Sequence, residues 1–172
     1  MSNVSLNSSF DDILITYLEH CEIDKNLSQN TIKMYDFYLR DFSDWAKSYL
    51  KQEKLKIKDI DTSLVKKYRV NLNRRISSKS NEEFKRSTQN TFLIALRAFL
   101  RYLVVDEDID ALPPEQIVLG KADAKLPKVL NDEQLARLFE VQNLNRRSGI
   151  RDRAILETMF STGLRVSELV SL

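Results

Sequence analysis

Glycine and proline, the residues that interrupt regular backbone, fill only six of the 172 positions in this chain: three of each. An average protein carries about 12 % of the two together. A β-sandwich or a repeat of tight turns needs such residues every ten positions or so. Their scarcity therefore excludes those architectures and predicts long helices. The length fits one domain or two small ones, and a chain of this size buries a core without disulfides or metal.

The rare residues narrow the chemistry. The single cysteine, Cys21, excludes an internal disulfide framework and a CxxC zinc site. The single histidine, His20, leaves no basis for a His-rich metal cluster, so no metal site is expected. His20 and Cys21 are adjacent, and adjacent helical side chains diverge, so a Cys–His dyad is not expected either. No apolar run approaches the ~20 residues of a membrane span. Met1 to Ser9 lacks the basic and apolar regions of a signal peptide. A cytoplasmic protein is expected.

The net charge of +2 hides a strong segregation. Residues 1–46 carry −5, residues 47–101 carry +10, residues 102–120 carry −5 and residues 121–172 carry +2. A +10 block within a nearly neutral chain points to a polyanion-facing surface. A solvated helical face, balanced by neighbours in space, is the alternative reading.

Apolar spacing then places the elements. Ser9 followed by Asp12 resembles a capping box, and Phe10, Ile13, Leu14, Tyr17 and Leu18 predict a first helix over about 10–20. Ser28 is the natural N-cap of a second, with Leu27 and Ile32 as a hydrophobic staple. Its stripe of Ile32, Tyr35, Leu39, Phe42, Trp45 and Tyr49 runs to about Leu50 and has the spacing of a buried face. Asp61 and Thr62 open a third helix with Leu64, Val65, Tyr68, Leu72 and Ile76 inward and Lys66, Lys67, Arg69, Arg74 and Arg75 on the other face. Ser77 to Glu83 reads as an exposed loop.

The fourth helix, starting at Ser87, is apolar on nearly every side from Phe92 to Val105, Ile94 included, and so belongs at the centre of a bundle. One polar stripe escapes, made of Asn90, Arg97 and Arg101, with Arg86 just before it. The arginines need a partner, which is either the acidic 106–110 cluster and the first helix or a phosphate or base. Prolines 113, 114 and 127 and Gly120 bracket an aperiodic stretch that reads as a linker. Asn131 with Gln134 then forms a capping box, followed by Leu135, Leu138 and Phe139 on one side. Another helix opens at Arg151-Asp152-Arg153 and ends at Gly163, and a last one begins at Arg165. Forty-four residues after the linker are too few for an independent core, so 129–172 reads as the opening of a larger domain or as a subdomain borrowing a core.

The segment Thr162-Gly163-Leu164-Arg165-Val166-Ser167-Glu168-Leu169 closely resembles the first catalytic box of the tyrosine recombinase (phage integrase) family, in its Xer-like branch. Arg151 to Leu156 resembles that family's helix before the box, and Leu126 to Leu130 its entry into the catalytic domain. Leu27-Ser28, Thr31 and Tyr35, with Leu96 to Leu103, resemble its core-binding domain. The resemblance spans roughly residues 10–172. It implies a mainly α fold: a SAM-like helical, DNA-binding domain over 1–113, a linker over 114–128, and the start of the catalytic domain over 129–172. It also implies half of a C-shaped clamp on duplex DNA, with two helices near the major groove, and site-specific recombination through a 3′-phosphotyrosyl intermediate. Neither metal nor another cofactor is implied.

Within that resemblance Arg165 matches the first catalytic arginine, and Glu168, one turn on, would hold it in place. A guanidinium offers permanent, bidentate hydrogen bonds to the non-bridging oxygens of a phosphodiester under attack, and a helix N-terminus also favours phosphate. The family's Lys, His-x-x-Arg box and Tyr nucleophile have no counterpart here: the one His is His20, and no Tyr follows Tyr102. The chain is therefore expected to be a catalytically incomplete fragment. Its expected DNA contacts are Lys33, Arg86, Thr88, Gln89, Asn90, Arg97 and Arg101, with Lys66 and Lys67 on backbone phosphate. The expected partner is duplex DNA with inverted-repeat half-sites, bound by a tetramer when full length, while the fragment alone is monomeric. A stand-alone DNA-binding module and a helical protein-interaction domain are the competing functions.

Overall fold

The computed structural model describes residues 4–77, 81–121 and 129–172. The chain divides into two compact units, Met1–Ala124 and Lys125–Leu172. Among the described residues the regular structure is helical, apart from two isolated antiparallel bridges, Ser9 with Lys56 and Ile76 with Glu83. No helix of the described residues is long and apolar enough to cross a membrane.

In the first unit four helices surround one core: α1 (Phe10–Ile23), α2 (Gln29–Leu50), α3 (Thr62–Asn73) and α4 (Arg86–Arg101). Two of their starts follow directly from capping chemistry. The Ser28 hydroxyl accepts from Thr31 N (3.3 Å), and the Asp61 carboxylate accepts from Leu64 N (2.7 Å). Helix α1 starts differently from expectation. Ser9 makes no side-chain cap. The chain entering α1 is held instead by backbone pairing with the segment before α3: Phe10 N donates to Leu55 O (2.8 Å) and Lys58 N to Leu6 O (2.9 Å).

Helix α4 lies at the centre, burying Phe92, Leu93, Ala95, Leu96, Phe99 and Leu100. Phe99 meets Phe10 (ring centroids 4.7 Å) and Tyr17 (5.3 Å, edge to face), and Phe10 meets Phe42 (5.8 Å). The α2 stripe is thus core, as its spacing predicts, except at its end: Leu39, Phe42 and Ala46 are buried, Ile32, Tyr35 and Trp45 pack against them, and Tyr49 is 50 % exposed. Each side chain of this size contributes about 1.5–3 kcal/mol on burial.

Three expectations are corrected. Ile76, expected inward on α3, lies past the helix end and is 64 % exposed, paired with Glu83 in an isolated antiparallel bridge. Ser78 to Ser80 of the expected loop lie outside the described residues. Helix α4 is not buried on nearly every side, because Ile94 is 47 % exposed, and Val105, in the turn beyond it, faces solvent. After Arg101 the chain widens into a π-helical turn (Tyr102–Asp106), and Tyr102 Oη donates to Glu107. Finally, the first part of the expected 114–128 linker is packed structure. Pro114–Gln116 forms a 3₁₀ turn, Thr62 Oγ1 donates to Gln116 Oε1 (2.8 Å), and Ile117 is buried in the core. Its prolines stiffen a docked segment, and residues 122–128 lie outside the described residues.

The second unit contains α5 (Asp132–Glu140), α6 (Arg147–Thr162) and α7 (Val166–Val170). The capping box is present, with Gln134 N donating to Asn131 Oδ1 (2.8 Å) and Asn131 N to Gln134 Oε1 (3.1 Å). Helix α6 begins one turn earlier than expected because Gly149 falls inside it. A Cβ there would come within 2.0 Å of the Asn143 carbonyl oxygen, so the approaching chain requires glycine. Arg153 ties α5 to α6 by donating to Phe139 O (2.8 Å) and Glu157 Oε1 (2.6 Å). Gly163 ends α6 in the left-handed conformation (φ +68°), as its position predicts. Among the described residues of this unit only Gly149 is buried.

One partly buried ion pair joins α1 to α2. Asp11 accepts from Lys47 Nζ (2.5 Å) and Ser43 Oγ (2.7 Å). Burial acts to raise the Asp11 carboxyl, but the bonds from Lys47 and Ser43 outweigh it and hold the group below the ordinary aspartate value of 3.8. Its stabilisation is therefore complete above pH 3.8 and is lost as pH falls through the lower folded value. Denaturant melts at a series of pH values should show Asp11→Asn less stable at neutral pH with a shallower acid decline. Parallel acid limbs for variant and wild type would refute the coupling.

Candidate nucleic-acid interface

Four cations of the basic block line one groove between α3 and α4. From α3 come Lys66, Arg69, Val70, Asn73 and Arg74, at steps of three and four, and from α4 come Arg86, Gln89, Asn90 and Leu93 at the same spacing. The groove holds about 650 Å³, and no Asp or Glu lines it among the described residues. Val70 and Leu93 supply its apolar surface and the four cations its charge.

The polar side chains of the groove are held by named bonds. Gln89 Nε2 donates to Phe84 O (2.7 Å) and to Asn73 Oδ1 (3.1 Å), which links the two helices. Asn90 pairs with the backbone of Gly120 in both directions: Nδ2 donates to Gly120 O (2.7 Å), and Gly120 N donates to Oδ1 (2.9 Å). Arg86 Nη1 reaches Lys121 O at 3.4 Å. The side chains of Lys66, Arg69 and Arg74 make no hydrogen bond or ion pair among the described residues. Their charge is left for an external partner.

Arg75 differs from its neighbours. Its Nη1 donates to Asp41 Oδ1 (2.6 Å), and Tyr68 Oη donates to Asp41 Oδ2 (2.7 Å), so Arg75 fastens the end of α3 to α2. Burial, then the Asp41 carboxylate, push the Tyr68 phenol well above its ordinary range and keep it a donor.

The expected contact residues thus divide into groups. Lys66, Arg86, Gln89 and Asn90 meet in the groove, with Asn90 engaged by Gly120. Lys67 and Thr88 are exposed on the same two helices without lining it, and Lys33 is exposed on α2. Arg97 and Arg101 line a second, smaller depression further along α4, with Pro114 and Glu115. Neither arginine is ion-paired among the described residues, so the 106–110 cluster does not take them up. Arg69, Asn73 and Arg74 were not among the expected contacts. The 66, 69, 70, 73, 74 spacing is their signal, since it marks a single stripe of α3.

In the second unit Arg165 stands at the N-cap of α7, and its side chain is 82 % exposed. Glu168 accepts from both Arg165 N (2.8 Å) and Nη1 (3.2 Å), so the two residues are brought together as their spacing predicts.

Comparison with known proteins places this arrangement. Residues 14–107 match the model of the phage integrase N-terminal SAM-like domain. The chain is 35 % identical over 153 residues to tyrosine recombinase XerC of Pelobacter propionicus, covering 89 % of this chain and 48 % of that protein. It is 32 % identical over 162 residues to tyrosine recombinase XerD of Shewanella oneidensis, covering 94 % and 50 %. The chain spans about half the length of the curated relatives it matches. Its fold is similar to the crystal structure of the N-terminal domain of a phage integrase/site-specific recombinase from Haloarcula marismortui, with a TM-score of 0.51 and 18 % identity, covering 66 % of this chain and 98 % of that one. A central α4 carrying the family's helical pattern, together with a family match over more than half the residues, shows that the chain belongs to the phage integrase family of tyrosine recombinases through its N-terminal SAM-like domain.

Proposed function

We propose that this chain is the DNA-gripping part of a tyrosine site-specific recombinase, together with the first catalytic arginine. The observation that carries the reading is the α3–α4 groove, which among the described residues has four cations, no lining carboxylate, and three cations whose side chains have no protein partner. A phosphate backbone is the ligand that such a groove attracts. Lys66, Arg69, Arg74 and Arg86 take phosphates, while Lys33, Lys67, Thr88, Gln89, Arg97 and Arg101 extend the contact along α2, α3 and α4. Asn90 acts chiefly by fixing the Gly120 segment beside the groove. Acting on DNA, the protein works in the cytoplasm.

The full-length protein joins four copies on inverted-repeat half-sites and exchanges strands through a 3′-phosphotyrosyl bond. The residues up to 113 grip the duplex, those from 129 on open the catalytic domain, and the isolated chain is monomeric and catalytically incomplete. Eleven exposed apolar side chains among the described residues of the second unit, including Val129, Val141, Phe160, Val166 and Val170, support the reading that 129–172 opens a larger domain, because so small a unit cannot cover them with its own residues. Arg165, steadied by Glu168, binds the non-bridging oxygens of the scissile phosphate as its negative charge grows.

Four neutralised phosphates give a slope of about −3.6 in log affinity against log salt. Fluorescence anisotropy on a labelled duplex should therefore show affinity falling on the order of 100-fold between 50 and 200 mM salt. Arg69→Ala or Arg74→Ala should each lower the slope by about 0.9 without changing the melting temperature. Salt-independent binding, or none, would refute the interface. In the full-length recombinase, Arg165→Ala should abolish the covalent adduct on a nicked suicide duplex while binding persists. An adduct yield equal to wild type would remove Arg165 from the chemistry.

A further inference from the structure

On the opposite side of the α4 ridge from the basic groove lies a cleft of different character. It runs between α2 and α4, holds about 320 Å³, and is walled by Met34, Tyr35, Tyr38 and Ile94, with Thr31 and Thr91 at its edges. Tyr38 is fixed against Phe92 (ring centroids 4.5 Å), so the cleft has a rigid wall. Met34 is 46 % exposed and Ile94 47 %, a cost that neither helix needs for its core.

The surroundings of the cleft identify its occupant. Lys33 adjoins Met34 in α2, and Arg97 stands one turn beyond Ile94 in α4. Both are without an ion pair among the described residues. Asp36, the nearest carboxylate along α2, is already engaged by Arg40 Nε (2.6 Å). The surface is therefore apolar at the centre and cationic at its margins. The major groove of duplex DNA is its complement, since thymine C5-methyl groups lie there between two rails of phosphate. A groove about 12 Å wide admits a helical ridge about 10 Å across, and α4, 16 residues long, presents such a ridge between the basic groove and the cleft.

We propose that Met34 and Ile94, with the Thr91 methyl, read thymine methyl groups in the major groove and bias the chain toward A·T-containing sequence. The inference rests on the DNA interface proposed above. Met34 supplies an unbranched, polarizable side chain that adapts to methyls in more than one register. Ile94 supplies a stiff one that fixes which base step is covered.

The test compares two 20-base-pair duplexes, alternating d(AT) and alternating d(AU), which differ only in the C5-methyl. The 172-residue chain should bind d(AT) more tightly by roughly fourfold for each methyl buried. Met34→Ala and Ile94→Ala, and the gentler Met34→Gln and Ile94→Thr, should weaken d(AT) binding, leave d(AU) binding unchanged, and so erase the preference. Circular dichroism confirms that each variant is folded. Equal wild-type affinity for the two duplexes, with salt-sensitive binding to both, would overturn the methyl reading alone and leave the cleft to a protein partner. A preference that survives in the Met34→Ala/Ile94→Ala double variant would overturn it as well. Failure to bind either duplex at low salt would overturn the DNA interface itself, and this inference with it.

Discussion

The buried arc of α4 is the constraint on which the first unit depends. Phe92, Leu93, Leu96, Phe99 and Leu100 dock against α1, α2 and α3, and Phe99 is locked between Phe10 and Tyr17. A helix buried along one arc has no freedom to rotate, because turning it by a single residue would bring Arg97 toward the core. Fixing that arc therefore also fixes what α4 shows outward. Arg86 and Gln89 turn toward α3, and Thr91 and Ile94 toward α2. Functional geometry here is a by-product of close packing.

Charge is divided between structure and surface. Lys47, Arg75 and Arg153 are consumed internally, each tying one element to another: α2 to α1 through Asp11, α3 to α2 through Asp41, and α6 to α5 through the Phe139 carbonyl. Such pairs lose their effect if either partner is removed, since the remaining charge is left half-buried. Among the described residues, Lys66, Arg69 and Arg74 of the α3–α4 groove have no such ties, and no carboxylate lines that groove. A surface arginine that stays unpaired beside others of like sign is tolerated when an anion is its working partner. A balanced, solvated face would place carboxylates opposite these cations, and none lines the groove among the described residues.

What the sequence discloses depends on the range of the interaction. Ser28, Asp61 and Asn131 cap their helices as local chemistry demands, and the α2 aromatic stripe is core because its period is that of a buried face. Ser9 fails as a cap because a distant segment at Leu55 to Lys58 takes the backbone first. The prolines at 113 and 114 look like a linker, yet a side-chain bond from Thr62 and the burial of Ile117 are non-local and carry no periodic signature. The site shows the same division. Arg165 with Glu168 is legible one turn apart, and the α3 stripe through Arg69 and Arg74 is legible from its spacing. That Arg75 belongs to Asp41, and Asn90 to Gly120, depends on partners about thirty residues away and is visible only once the helices are packed.

In the proposed complex duplex DNA lies against the groove between α3 and α4. Backbone amide chemical-shift mapping during titration of the 172-residue chain with a 20-base-pair duplex tests it most directly. The largest perturbations are expected at 66–74 and 86–97, with further ones around 31–38 of α2 and the acidic helix α1 largely unmoved. Perturbations centred on α1, or spread evenly over the first unit with the groove unaffected, would contradict it.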